Sequence, residues 1–201
     1  MEHKIKIPKT RNGKATFKLI VDTTIELFYT KGYFQTKITD ITEAAGIATG
    51  TFYLYFPNKV VLYKYILMEF QHEIRRQIAI AVSQVEGRLE KEKIGMKAYV
   101  QFVLDNPHAY NLIWESLYID KSLFIDYYDG FAMRYEKGLK ESIEADEMHD
   151  VDTELVSYIL MGISTFIGLK TLFNLGEDHG NVDEVVDKVM AIVQTGIFKT
   201  K

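Results

Sequence analysis

The segment ITDITEAAGIATGTFYLYFPNK, residues 38–59, constrains this chain more than any other part of it. It reads as two helices of about seven residues around a glycine turn, too short to repay their own nucleation. Each must therefore be held by neighbouring helices, and one side of each must be apolar. Ile38, Ile41, Ala45, Ile47, Phe52 and Phe56 supply that seat. Thr39, Thr49, Gly50, Thr51, Tyr53 and Tyr55 are left facing outward, a surface of hydroxyls and phenols instead of charges.

Helical periodicity runs on both sides of this core. Phe17, Ile20, Val21, Thr24, Leu27 and Phe28 mark a first helix stopped at Gly32. Thr36 is the expected cap of the second helix, which ends at Gly46, and Thr49 opens the third. Phe56 precedes Pro57 and is pushed out of the helical region. Asn58 caps a long fourth helix with Tyr63, Ile66, Leu67, Phe70, Ile74 and Ile78 on one stripe. Residues 1–14 are expected to be a mobile basic arm carrying Lys4, Lys6, Lys9, Arg11 and Lys14.

The rest stays helical. A charged segment leads into 96–104, Asn106-Pro107 starts a helix, Ser122 starts the next, and a polar break covers 144–152. A nearly apolar helix spans 156–173 with a stop at Gly176, and a last amphipathic one spans about 182–198. The expectation is an all-α fold of about nine helices, with domains at 1–63 and 64–201. The 156–173 run has the length of a bilayer span but contains Ser157, Ser164, Thr165, Lys170 and Thr171. Burial against a second copy suits it better, with Ser164 and Gly168 allowing close approach, so no membrane is expected.

Charge divides the chain unevenly. Residues 1–64 hold ten Lys/Arg against five Asp/Glu, while 65–201 hold fourteen against twenty-three, giving −4 in all. The basic end suits a polyanion. No cysteine is present among the 201 residues, which excludes disulfides and thiolate chemistry and suits a cytoplasmic setting. His3, His72, His108, His149 and His179 are scattered without ligand spacing, and neither a phosphate loop nor a serine elbow occurs, so no metal, cofactor or catalytic set is expected.

The aromatic-x-x-Lys-Gly-Tyr helix end at 28–33, the Ala-Gly-Ile turn at 45–47, the Gly-Thr-Phe-Tyr run at 50–53 and the Tyr-Phe-x-Asn-Lys exit at 55–59 together resemble TetR/AcrR-type bacterial transcription regulators. The resemblance covers about fifty residues; beyond them only helix number and order agree. Thr42 stands where the family usually has a small apolar residue. Ala48 replaces a frequent serine, a lost phosphate-binding hydroxyl that Thr49 can supply.

The resemblance implies a homodimer that binds a double-stranded, palindromic DNA operator, represses transcription and is released by a small molecule. The candidate DNA contacts are Thr39, Thr49, Gly50, Thr51, Tyr53, Tyr55 and Lys59. Hydroxyls and phenols of this kind can bond phosphates or pack on thymine methyls. Singly, each is as well explained by packing, capping or solvation; their joint spacing carries the reading. Phe102, Tyr110, Trp114, Tyr118, Tyr128, Phe131, Tyr135 and Phe166 are candidate walls of a cavity for an apolar or cationic organic effector. Glu115 and Asp120 are candidate counter-charges to a cation. Three alternatives stay open at this point: a helical small-molecule enzyme, a protein-interaction module that does not bind DNA, and a regulator that activates instead of repressing.

Overall fold

The computed structural model describes residues 5–173 and 181–195. His3 and Lys4, the expected stop at Gly176, His179 and the expected helix end at Phe198 lie outside the described residues. Among those described there are nine α-helices and no strand. They are α1 (Arg11–Lys31), α2 (Ile38–Ala44), α3 (Thr49–Tyr55), α4 (Lys59–Val82), α5 (Arg88–Asp105), α6 (Pro107–Ile119), α7 (Lys121–Glu144), α8 (Thr153–Phe173) and α9 (Val182–Thr195).

Two compact units emerge. One joins Met1–Gln71 to His108–Tyr127, and the other joins His72–Pro107 to Tyr128–Lys201. The first unit is thus larger than the 1–63 segment, because α6 and the start of α7 pack with the N-terminal helices. Its core is aromatic. Phe17 lies 4.8 Å from Phe56 and 5.1 Å from Tyr65, ring centre to ring centre. Ile20, Ile41, Phe52, Phe56, Leu62 and Tyr63 are fully buried. The Tyr63 hydroxyl donates to the Leu112 carbonyl at 2.5 Å, tying α4 to α6. The Gln71 amide donates to the Tyr127 carbonyl at 2.6 Å, tying α4 to α7.

Two expected helix boundaries shift for local reasons. The N-terminal arm is shorter than 14 residues: α1 already starts at Arg11, where the Thr10 hydroxyl accepts the Gly13 N–H at 3.1 Å. The Lys6 N–H donates to the Tyr55 carbonyl at 3.1 Å, so the arm is tied down before the helix begins. Helix α7 starts at Lys121, with Asp120 accepting the Ser122 N–H at 2.9 Å. Asn58 does cap α4, accepting the Val61 N–H at 2.9 Å.

In the second unit α5 packs against both α8 and α9. Met96, Val100, Val186 and Met190 form a buried cluster flanked by Tyr99, Ile163 and Ile167. Gly168 faces inward: a β-carbon there would lie 3.4 Å from Val103 and 3.5 Å from Tyr99. It therefore permits close approach of α8 to α5, not to a second copy as expected from the sequence. Lys93 pairs with Asp187 at 2.6 Å across α5 and α9, and Lys97 pairs with Asp183.

One charged cluster is enclosed. The Arg88 guanidinium pairs with Glu92, whose other oxygen accepts the Tyr135 hydroxyl, and it stacks 5.3 Å from the Tyr135 ring centre. Arg88 and Glu92 side chains are only 12% and 13% exposed. Gly138 leaves room for them, since a β-carbon there would fall 2.9 Å from Arg88 Nη1. Removing one partner strands the other charge, so Glu92→Ala should cost about 3–5 kcal/mol, read as a fall in urea midpoint at constant slope.

Candidate nucleic-acid interface

The two short helices fold onto each other as their apolar residues require. Ile41, Ala45, Phe52 and Phe56 are buried, and Ile38 and Ile47 are half-buried. Gly46 makes the turn at φ +63°, a conformation that disfavours a side chain. The turn returns N–H groups to α2: Gly46 to the Glu43 carbonyl at 3.1 Å, and Ile47 to the Thr42 carbonyl at 3.0 Å. Thr42 occupies its buried site by donating to the Thr39 carbonyl at 3.1 Å, and its hydroxyl lies 3.4 Å from that of Thr49. A threonine is thus accommodated without an unpaired hydroxyl.

Thr39, Thr49, Gly50 and Tyr53 lie on the solvent side, with Tyr53 51% exposed. A β-carbon on Gly50 would meet nothing within 4 Å, so this face is open. Thr51 and Tyr55 are only half-buried. Tyr55 turns partly inward, its ring edge-on to Phe17 at 5.7 Å. Leu54 and Phe34 are 59% and 63% exposed and were not singled out by sequence reasoning. No periodicity distinguishes an exposed apolar residue from its neighbours in a seven-residue helix.

Two residues take roles other than those expected. Lys59, expected to hold phosphate, instead donates to the carbonyls of Tyr33 and Thr36, both at 2.7 Å. Its ammonium also sits 3.9 Å from the Tyr33 ring centre. Backbone carbonyls beyond the end of α1 compete successfully for that cation. Thr36 does not cap α2. It is buried, and its hydroxyl donates back to the Gly32 carbonyl at 2.8 Å. The cap position falls to Lys37, whose N–H donates to Asp40 at 3.0 Å.

Tyr33 is the centre of this joint. It is 7% exposed and lies between Phe28 and Tyr63, with ring centres 5.5 and 5.2 Å away. Its carbonyl goes to Lys59, and its N–H donates to Glu115 of α6 at 2.7 Å. Gly32 makes that approach possible, with φ +79° and only 3.2 Å between a hypothetical β-carbon and Glu115 Oε1. Burial raises the Glu115 pKa, opposed by the Tyr33 N–H and by Lys59. Burial lowers the Lys59 pKa, opposed by Glu115 and Asp40.

A buried seat for two short helices, a glycine turn and an open hydroxyl face are the parts of a helix-turn-helix. Residues 20–66 match the family model of bacterial regulatory proteins, tetR family. The chain matches that model from α1 to α4. It is 32% identical over 98 residues to a fatty acid metabolism regulator protein of Bacillus subtilis, covering 47% of each chain. The chain spans less than half the length of the curated relatives it matches. Among solved structures, a TetR-family regulator from Syntrophomonas wolfei superposes with TM-score 0.81 at 20% identity, covering 94% of this chain and 99% of the other. The FadR regulator of Bacillus subtilis, in complex with stearoyl-CoA, superposes with TM-score 0.77 at 18% identity, covering 90% and 100%. At those identities the likeness shows the fold.

The structure divides the candidate effector residues between the two units of the chain. Tyr110, Trp114 and Tyr118 belong to the unit that holds the helix-turn-helix; Phe102, Tyr128, Phe131, Tyr135 and Phe166 belong to the other. Tyr118 and Phe166 are 78% and 62% exposed, so they do not wall an interior cavity of one chain. Phe102 and Tyr110 are buried, and Trp114 packs on Phe124 at 5.9 Å. Glu115 and Asp120 are not counter-charges for a cation, being engaged by Tyr33 and by the α7 cap. Because Lys59 satisfies two carbonyls, Lys59→Met should cost about 1–3 kcal/mol, seen as a lower denaturation midpoint with helicity retained.

Proposed function

We propose that this chain is a ligand-responsive transcription regulator that binds a palindromic operator as a homodimer and represses until a small organic effector releases it. The exposed face of α3 carries the reading. Thr39, Thr49, Gly50, Thr51 and Tyr53 present hydroxyls, a phenol and bare backbone on a helix whose other side is locked. The part that meets DNA falls within 1–63, and effector binding and dimerisation fall within 64–201. Such a regulator works in the cytoplasm, where the operator is.

The second copy is called for by α8. This helix is long and apolar enough to cross a bilayer by length and composition, yet only a third of its most apolar stretch is buried. Leu155, Ile159, Phe166 and Phe173 are exposed on it. With Gly162 and Leu169 they recur at alternating steps of four and three, a seam that fits the same helix of a partner. A β-carbon on Gly162 would meet nothing within 4 Å, so Gly162 takes the role expected of Gly168. A two-fold pair would present two α3 helices to half-sites about 34–36 Å apart.

For the effector, an acyl chain carried on a polar group is the best-supported class. The fatty acid metabolism regulator of Bacillus subtilis is among the relatives, and the FadR structure of that organism holds stearoyl-CoA. In this chain Tyr99, Tyr128 and Tyr135 bring largely enclosed phenols into the second unit, and burial raises the pKa of each. All three stay neutral hydrogen-bonding groups at physiological pH. That environment favours an apolar effector over a cationic one.

A duplex from upstream of its own gene should bind with affinity falling steeply as salt rises. Tyr53→Ala should weaken specific binding by about tenfold, within the range of one good base contact, and leave the dimer intact in sedimentation. Phe166→Glu should do the reverse, giving monomers at micromolar concentration; a dimer unaffected by it would remove α8 from the interface. Stearoyl-CoA should change the emission of Trp114, the single tryptophan, and lower operator affinity. Salt-independent association with no duplex binding would replace this reading by a protein-interaction module.

A further inference from the structure

Residues 5–10 are fastened to the end of the third helix. The Lys6 N–H donates to the carbonyl of Tyr55, the last residue of α3, at 3.1 Å. Pro8 then folds back over the first turn of α1. Gly13 shows how closely it does so, because a β-carbon there would fall 2.8 Å from Pro8 Cβ and 2.9 Å from the Thr10 hydroxyl. The same β-carbon would lie 3.6 Å from the Tyr55 hydroxyl, so the arm, α1 and the end of α3 meet at one place. Alanine is the better helix former; glycine at this position leaves the space that the arm occupies.

Lys6, Lys9, Arg11 and Lys14 are exposed along this stretch, and residues 5–21 contain no Asp or Glu. Other cations of this unit are engaged: Lys18 with Asp22 at 2.5 Å, Lys64 with Asp126 at 3.2 Å, and Lys59 with two carbonyls. Among the described residues none of the four has a carboxylate partner. Like charges held close together repel, and a polyanion is the partner that relieves this. The arm also stands where phosphates would run. Helix α3 has seven residues, a length of about 10 Å against a major groove about 12 Å wide. Groups abutting its end therefore lie at the rim of the groove. The C-terminal end of a helix carries partial negative charge, which repels phosphate; the arm covers the Tyr55 carbonyl and sets cations beside it.

We propose that residues 5–10 are a second DNA-contacting element, a fixed arm whose Lys6 and Lys9 hold phosphates beside the half-site that α3 reads. The proposal rests on the operator-binding reading above and deepens it by extending the contact to the backbone flanking each half-site. Such contacts add affinity without sequence preference. Because the arm is bonded to the end of α3, its cations travel with that helix into the groove. The ordering that a loose arm would undergo on binding is thereby avoided.

The test titrates the full chain and three variants with a duplex from upstream of its own gene and with a scrambled duplex, over a range of salt. The double variant Lys6→Ala/Lys9→Ala should bind both duplexes about tenfold more weakly, and its slope of log affinity against log salt should fall by about one for each lysine in each protomer. Gly13→Ala keeps every charge but sets a β-carbon against Pro8. It should lose a similar factor in affinity and speed hydrogen exchange of the Lys6 amide by about tenfold, with helicity equal or higher. Lys18→Ala, whose cation is paired with Asp22, should bind as the parent does. A double variant with the affinity and salt slope of the parent overturns the proposal, and so does a loss confined to the upstream duplex. Gly13→Ala overturns the fixed arm if Lys6 exchange is unchanged, or if exchange quickens and affinity does not fall. A parent that binds neither duplex removes the operator reading and the arm together, whereas failure of the variants with parental binding intact is the failure of the arm alone.

Discussion

The peptide group of Tyr33 is the point on which this architecture turns. Its ring is enclosed by Phe28, Tyr63 and the Lys59 ammonium, while its N–H and C=O face charged side chains from α6 and α4. A backbone group buried at a helix end needs partners or incurs a desolvation cost. Here the partners come from residues 26 and 82 positions further along the chain. That requirement draws α4 and α6 onto the end of α1 and places the two short helices between them.

From that joint the interface follows by exclusion. Phe52 and Phe56 fill the space above Phe17, and Ile41 closes the other side, so the opposite edges of α2 and α3 have nowhere to go but outward. The polar character of the face thus results from apolar seating beneath it. Lys59 illustrates the complementary case. It is a cation beside an interface, yet the Tyr33 and Thr36 carbonyls lie within its reach and hold it to an internal task.

The second unit obeys different rules. Its order comes from α5 packed between α8 and α9, and its charges are either at the surface, as with Lys93 and Asp187, or enclosed together, as with Arg88 and Glu92 beside Tyr135. Helix α8 remains under-covered, with Leu155, Ile159, Phe166 and Phe173 exposed along it.

The sequence alone determined the helices, their order and the seated faces of α1, α2 and α3, because 3.6-residue periodicity, Gly32, Gly46 and Pro57 act locally. It also carried the match to tetR-type regulators through the spacing of residues 28–59. Only the tertiary structure decided that Lys59 and Glu115 face inward, that Thr36 bonds back instead of capping, that α6 packs with the N-terminal helices, and that Gly162 instead of Gly168 is open. Each of these depends on which partner a polar or small residue meets from a distant part of the chain. Periodicity records which side of a helix is buried, but not what lies across from it.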